Sequence, residues 1–153
     1  MGNEIVKVLI CDDSVEFGKA CAKEFGSMGM QVKMYYQSNK TILESIWDEK
    51  PDVVVLDVDA FGKEAMTVIH CAEAMRVQPA FIITSVLEDF GNEIFWMKHG
   101  AACFMVKPFG ILSLYHEIEQ VIAEKRICQN RELEMALTNL LYHCLLYTSD
   151  AAD

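Results

Sequence analysis

The stretch Val53-Val54-Val55-Leu56-Asp57 decides the fold. Its four consecutive apolar residues, three of them β-branched, predict a strand that is covered on both faces, because a half-exposed strand would alternate apolar and polar residues. An aspartate closes the run. In a parallel sheet, groups that follow the carboxyl ends of the strands line the binding crevice. We therefore expect Asp57 at the functional edge of such a sheet.

Further runs with strand character lie on either side of this stretch. They are Val6–Cys11, Ala80–Ser85, Ala102–Val106 and a weaker one at Gln31–Tyr35. Helix-length segments separate them at Val15–Met28, Thr41–Glu49, Glu64–Met75, Asp89–His99 and Ile111–Ile127. Strict alternation of strand and helix predicts an α/β fold, a doubly wound (βα)5 unit with a parallel five-stranded sheet and helices on both faces.

Two of the predicted helices have clear boundaries. Ser14 is a candidate N-cap of the first helix, whose apolar side is expected to include Val15, and Gly29 suits its end. The second helix places Trp47 on one apolar stripe with three aliphatic residues, and Pro51 closes it.

Composition limits the class of protein. The 153 residues suggest one domain, and a net charge of −10 disfavours direct binding to nucleic acid. The six cysteines lie mostly in apolar stretches without a CxxC pair, so we expect buried thiols in a reducing compartment. Neither a signal peptide nor a membrane-spanning run is evident. The sequence therefore predicts a cytoplasmic protein without membrane contact.

The chemistry-bearing residues follow the predicted strands. Asp12 and Asp13 follow the first strand, Asp57 ends the third, Thr84 lies near the end of the fourth and Lys107 follows the fifth. Three carboxylates at one sheet edge repel each other and favour a hard divalent cation, Mg²⁺ above all. A carboxylate nucleophile, a metal, a hydroxyl and an ammonium are together what phosphoryl transfer needs.

Each of these residues also has a purely structural interpretation. Asp13 or Ser14 could cap the first helix, Thr84 could simply end a strand, and Lys107 could be a solvated charge. The joint pattern, with each strand end supplying a required group in the required order, favours the functional interpretation.

These residues, together with Met105-Val106-Lys107-Pro108-Phe109, resemble the signature of response-regulator receiver domains over about residues 5–125. The resemblance implies a flavodoxin-like, CheY-like fold with strand order 2-1-3-4-5. It also implies a signalling switch of a two-component system or phosphorelay, not an enzyme, in which a histidine kinase or phosphotransfer protein phosphorylates Asp57.

The same resemblance assigns the remaining site residues. Asp12, Asp13 and Asp57 would hold Mg²⁺ with help from the Asp59 main-chain carbonyl. The Thr84 hydroxyl and the Lys107 ammonium would contact the phosphoryl group, and Phe104 would turn inward on activation. The Lys107–Pro108 bond is expected to be cis, and a homodimer could form through the face of the fourth and fifth helices.

One segment departs from the family pattern and keeps two alternatives open. Members usually carry Met-Pro shortly after the acceptor, whereas here the chain reads Asp57-Val58-Asp59-Ala60-Phe61-Gly62, with a fourth carboxylate near the site. A receiver-shaped module that no longer uses phosphate is one alternative. The other is a haloacid-dehalogenase phosphatase, because Asp57-Val58-Asp59 resembles the DxD motif of that class.

The remaining sequence suggests how the domains are organised. We expect a receiver at 1–127, a linker and the start of a truncated C-terminal effector domain at 128–143, and a translated sequencing adapter at 144–153. Leu137–His143 resembles the first helix of the DNA-binding domain of the stage zero sporulation protein A family. This resemblance predicts transcriptional output in sporulation, with DNA contacted only through the missing domain. An extended fifth helix or a dimer stripe is the alternative. His70, His99 and His116 lie on different predicted helices without partners, and they receive no role.

Overall fold

The computed structural model describes residues 4–36, 40–75, 78–87 and 90–152. It divides into two compact units, Met1–Ile122 and Ala123–Asp153. The strands are β1 (Lys7–Cys11), β2 (Gln31–Met34), β3 (Val53–Asp57), β4 (Ala80–Ser85) and β5 (Cys103–Val106). The helices are α1 (Val15–Ser27), α2 (Ile42–Glu49), α3 (Val58–Glu73), α4 (Phe90–Lys98) and α5 (Ile111–Ala152).

The sheet has the predicted topology. Its five strands are parallel and follow the order β2-β1-β3-β4-β5, which confirms the flavodoxin-like fold class. The direction of winding reverses between β1 and β3, where Cys11 pairs with Leu56. The crevice of a doubly wound sheet lies at this reversal.

Both faces of the sheet are covered, as the continuous apolar runs predict. Successive side chains of β1 point to opposite faces. Val8 and Ile10 therefore join the cluster with α1 and α5, and Leu9 and Cys11 join the cluster with α2, α3 and α4. All five residues of β3 are buried, so the acidic end of this strand is held by the most enclosed part of the sheet.

Side chains define the ends of the first two helices. The Phe17 amide donates to the Ser14 hydroxyl at 3.2 Å, which makes Ser14 the predicted N-cap of α1. Thr41 and Glu44 form a reciprocal capping box at the start of α2. Lys50 ends α2 with φ of +50°, just before the predicted stop at Pro51.

Two apolar residues predicted to face the core do not. Trp47 is 66% exposed, because it lies about 100° around α2 from the buried Ile46 and so leaves the stripe that Ile42 and Ile46 form. Val15 is 48% exposed; it belongs to the first turn of α1 and lines the cleft beside the acidic residues instead.

The third and fifth helices are longer than predicted. α3 begins at Val58, six residues before the expected Glu64, because Asp57 caps it directly; a non-helical turn at Phe61 then lets this ring reach the core. α5 continues to Ala152, since no glycine or proline interrupts residues 111–152. The predicted linker at 128–143 is therefore helical, as in the alternative of an extended fifth helix, and its assignment to an effector domain stays a prediction.

The cysteines are only partly as expected. Cys11 and Cys21 are buried, but Cys71, Cys128 and Cys144 are exposed, so the prediction of buried thiols is wrong for these three. Burial raises the pKa of the Cys21 thiol to about 12. In the ranges that the structure describes, no helix is both long and apolar enough to cross a membrane.

Candidate functional site

Three carboxylates meet at the carboxyl edge of the sheet. Asp12 and Asp13 follow β1, and Asp57 is the last residue of the adjacent β3. One carboxylate oxygen from each residue lies within 4.8 Å of the others. Asp57 is buried, the Asp12 side chain is only 2% exposed, and Asp13 is exposed. This is the spatial arrangement that the sequence predicted, and it is open to solvent on the side of Asp13.

Lys107 connects two of the three carboxylates. Its Nζ lies 2.6 Å from Asp12 Oδ2 and 3.0 Å from Asp57 Oδ2. The interpretation of Lys107 as a solvated charge is therefore wrong, because only 22% of its side chain is exposed. The ammonium also lies 5.6 Å from the centroid of the Phe17 ring, within the range of a cation–π contact.

Burial and charge act in opposite directions on this pair. Burial raises the pKa of Asp57, and the hydrogen bonds from Lys107 and from the Asp59 amide offset only part of that increase. Burial would lower the pKa of Lys107, but its hydrogen bonds to Asp12 and Asp57 outweigh it, so the pKa of Lys107 is raised. Three carboxylates against one ammonium leave two formal negative charges, which one divalent cation would balance.

Thr84 lies beside Asp57 on the neighbouring strand. It pairs in register with Asp57 across β3 and β4 and is completely buried. Its Oγ1 makes no hydrogen bond within the described part of the chain. Buried hydroxyls normally have a partner, so this atom is available for a group that enters the crevice.

The Asp59 carboxylate points away from the cluster. Its Oδ1 accepts from the Ser85 hydroxyl at 2.9 Å and its Oδ2 accepts from the Val86 amide at 2.8 Å. The Asp59 carboxylate therefore anchors the segment that follows β4 and is not a member of the three-carboxylate group. Sequence reasoning missed the role of Ser85; its only signal was its place at the end of β4, next to Thr84.

The acidic cluster opens into a cleft of about 180 Å³. Asp12, Asp13 and Ser14 line one side, and Tyr35 and Phe61 are among the residues on the other. Tyr35 thus belongs to the rim of the cleft. The cleft provides room for a small molecule or a side chain next to the carboxylates.

Two further predicted residues lie in or next to β5. Phe104 is half-buried and packs against the cluster of α2, α3 and α4, so its inward movement on activation stays a prediction. The Lys107–Pro108 peptide bond is cis, the isomer that the resemblance implied. The Lys107 amide donates to the Ser85 carbonyl at 2.8 Å and aligns the residue with the end of β4.

The fold is that of response-regulator receiver domains of the CheY type, and comparison with known proteins supports this class. No protein-family model matches the sequence. The chain is 29% identical over 100 residues to the transcriptional regulatory protein RstA of Escherichia coli, covering 65% of this chain and 41% of that protein. It is 23% identical over 138 residues to the transcriptional activator protein IrlR of Burkholderia pseudomallei, covering 87% of this chain and 59% of that protein.

Structural comparison leads to the same class. The BeF3-activated N-terminal receiver domain of Klebsiella pneumoniae RstA superposes with a TM-score of 0.65 and 25% identity, covering 76% of this chain and 97% of that domain. The chain thus matches a complete receiver domain but spans only about half the length of the two curated relatives.

Proposed function

We propose that this chain is a phosphorylation switch in which Asp57 accepts a phosphoryl group from a histidine kinase or phosphotransfer protein. The observation that carries the proposal is the convergence of three carboxylates and Lys107 beside a buried hydroxyl without a partner. These are the groups that phosphoryl transfer to a carboxylate requires.

Asp12, Asp13 and Asp57 would hold Mg²⁺, with the Asp59 main-chain carbonyl as a further oxygen ligand. The oxygen-only donor set suits this ion, and the two uncompensated negative charges of the cluster match its charge. Bound Mg²⁺ would neutralise negative charge on the equatorial oxygens of the phosphoryl group during transfer. The Asp59 amide donates to Asp57 Oδ1 at 3.0 Å, so the Asp59 main chain lies next to the cluster.

In the proposed step, a carboxylate oxygen of Asp57 attacks phosphorus. The new P–O bond forms as the bond to the donor breaks, and the donor nitrogen or oxygen leaves with the electron pair. Lys107 moves its hydrogen bond from Asp57 to the phosphoryl group, and the buried Thr84 hydroxyl donates to another phosphoryl oxygen. Phe104 would then turn inward, coupling the site to α4 and α5.

The experiment is incubation with Mg²⁺ and a small phosphodonor, followed by intact-mass measurement. We expect the mass of one phosphoryl group on the wild-type protein and on Asp48→Asn, a surface control whose carboxylate pairs with Lys40. Asp57→Asn is expected to gain nothing. A gain that survives in Asp57→Asn, or no gain in the wild type, would refute the proposal.

Two further assays separate the alternatives. A module that no longer uses phosphate would bind its partners equally with and without beryllofluoride, the group named for the activated Klebsiella receiver. A phosphatase would turn over a phosphomonoester many times. The engagement of Asp59 with Ser85 and Val86 disfavours the phosphatase, because the second acid of a DxD motif should face the reacting group.

For the output, we infer transcriptional control carried by a segment outside residues 1–127. The two curated relatives are named as transcriptional regulators and are longer than this chain. A role in sporulation, with DNA bound by a C-terminal domain, depends on the resemblance of Leu137–His143 alone. Sequencing the gene past His143 tests it: a DNA-binding domain of the sporulation type is expected, and any other continuation would overturn it.

A further inference from the structure

Two histidines that sequence reasoning left without partners meet on the opposite side of the fold from the acidic site. His70 lies in the last turn of α3 and His99 follows α4, and their ring centroids are 5.6 Å apart. The helices run antiparallel to the strands, so both positions lie toward the amino ends of the strands. The prediction that these residues lack partners is therefore wrong.

The separation of the rings fits a shared metal ion. Imidazole nitrogen binds Zn²⁺ at roughly 2.0–2.1 Å, and a ring nitrogen lies roughly 1.1 Å from the ring centre. Two imidazoles on one ion, at an angle between tetrahedral and trigonal, would place their centroids roughly 5–5.5 Å apart. The observed 5.6 Å needs only a small adjustment.

A carboxylate is available as a third ligand. Glu73 is one helical turn after His70, so the two side chains share a face of α3. Its Oε1 lies only 3.2 Å from where a Cβ on Gly100 would be, against the residue that follows His99. Gly100 has φ of +111° and no side chain, which leaves room for the carboxylate.

The carboxylate would have to rotate toward the rings. Among the described residues, only the Asp12, Asp13 and Asp57 group already has three ligand atoms within 4.8 Å of one another. Glutamate has three side-chain torsions, and Glu73 is exposed, so this movement is not blocked by packing. Two imidazoles and a carboxylate form a ligand set that binds Zn²⁺ and similar ions and leaves one position for water.

Electrostatics also favours a cation at this place. The ends of α3 and α4 carry the partial negative charge of helix C-termini. Packing against an aromatic ring explains the position of His99 but not that of His70. His99 packs against Phe95 of α4 with tilted rings and centroids 4.6 Å apart, but His70 comes from α3 and is exposed.

We propose that His70 and His99, completed by Glu73, bind one divalent transition-metal ion of the Zn²⁺ type. The ion would join the C-terminal ends of α3 and α4 and so restrain α4, independently of the Mg²⁺ proposed at the carboxylates.

The test is a titration of the whole chain with Co²⁺, followed by displacement with Zn²⁺, in saturating Mg²⁺ and a phosphine reductant. Co²⁺ reports its ligands by visible absorption, and thiolate ligation adds a charge-transfer band that nitrogen and oxygen ligands lack. We expect one equivalent of bound Co²⁺ without that band. This result separates the site from the exposed Cys71 and Cys128.

Matched variants assign the ligands. His70→Ala and His99→Phe should each weaken binding roughly 10-fold or more, and the phenylalanine preserves the ring packed on Phe95. Glu73→Gln should weaken it less. His116→Ala is the control, since this histidine pairs with Glu119 on α5.

Three results would overturn the proposal. They are stoichiometric binding that survives both His70→Ala and His99→Phe, an equal loss in His116→Ala, or no Co²⁺ binding by the folded wild type. Far-UV circular dichroism of each variant checks folding, and His70 is exposed, so its replacement should leave the spectrum unchanged. Phosphorylation of Asp57 is a separate readout, and its failure would not affect this site.

Discussion

Replacing Thr84 with valine should stabilise the protein in the absence of Mg²⁺ and phosphate. The Thr84 side chain is completely buried, and its hydroxyl has no hydrogen-bond partner among the described residues. Burying a hydroxyl without a partner costs about 1–3 kcal/mol in protein mutational data. Valine has nearly the same shape and suits a central strand. We therefore expect Thr84→Val to raise the free energy of unfolding by about 1–2 kcal/mol.

The assay is urea denaturation in EDTA, followed by the fluorescence of Trp96, which is 5% exposed and reports on the core, with the exposed Trp47 replaced by phenylalanine in every protein compared. An increase of this size corresponds to a rise of roughly 2–8 °C in Tm for a chain of this length. Thr84→Ser is the matched control, because it keeps the hydroxyl and removes a buried methyl group. It should lose about 1 kcal/mol.

The two variants should also differ in their response to the phosphoryl mimic. Beryllofluoride with Mg²⁺ should stabilise the wild type and Thr84→Ser, and it should stabilise Thr84→Val less, since the hydroxyl that would bond the bound group is gone. A Thr84→Val protein that is no more stable than the wild type would show that the hydroxyl is already satisfied. That result would remove the main support for the proposal that the Thr84 hydroxyl bonds an incoming phosphoryl group.

Three further predictions test the surroundings of the site. Lys107→Met should destabilise the Mg²⁺-free protein by about 2–4 kcal/mol, because it leaves two largely buried carboxylates without their counter-charge. Added Mg²⁺ should then restore more stability to this variant than it adds to the wild type. An equal gain in both proteins, measured by urea titration, would contradict this. Asp59→Asn should speed hydrogen exchange at the Val86 amide, which loses a charged acceptor at 2.8 Å; unchanged protection would argue against that anchor. Gly100→Ala should lower the free energy of unfolding by about 1–2 kcal/mol, because φ is +111° and the new Cβ lies 3.2 Å from two side chains. Gly26→Ala is the control, since α1 has open space at this position, and it should be neutral or stabilising. Thermal melts of both variants measure the difference.

The sheet and the positions of the acidic residues followed from local patterns. A continuous apolar run such as residues 53–57 predicts a strand buried on both faces, and strict alternation with helices leaves few topologies. In a parallel sheet all strand ends reach the same edge. Asp12, Asp57 and Lys107 therefore had to come close once the strands were assigned, and the structure has them within hydrogen-bond distance through Lys107.

Other features depend on contacts between distant segments and left no local signal. The Asp59 carboxylate could have joined the acidic cluster, but Ser85 and Val86 offered two donors on the other side. The meeting of His70 and His99 requires the ends of two helices to converge. Spacing along one segment of the sequence determines neither outcome.

The charges at the crevice explain why the proposed switch needs its metal. In the described state Lys107 binds Asp12 and Asp57 at the same time, so the one ammonium is already used in neutralising carboxylates. A phosphoryl group on Asp57 would bring further negative charge into a site that already has two negative charges in excess. Lys107 can turn to the phosphoryl group only if something else compensates Asp12. A divalent cation held by the three carboxylates would do this, and it would free Lys107 for the new partner. It follows that phosphorylation and metal binding should favour each other, and that a phosphoryl mimic should raise the affinity for Mg²⁺ in the wild type more than in Lys107→Met.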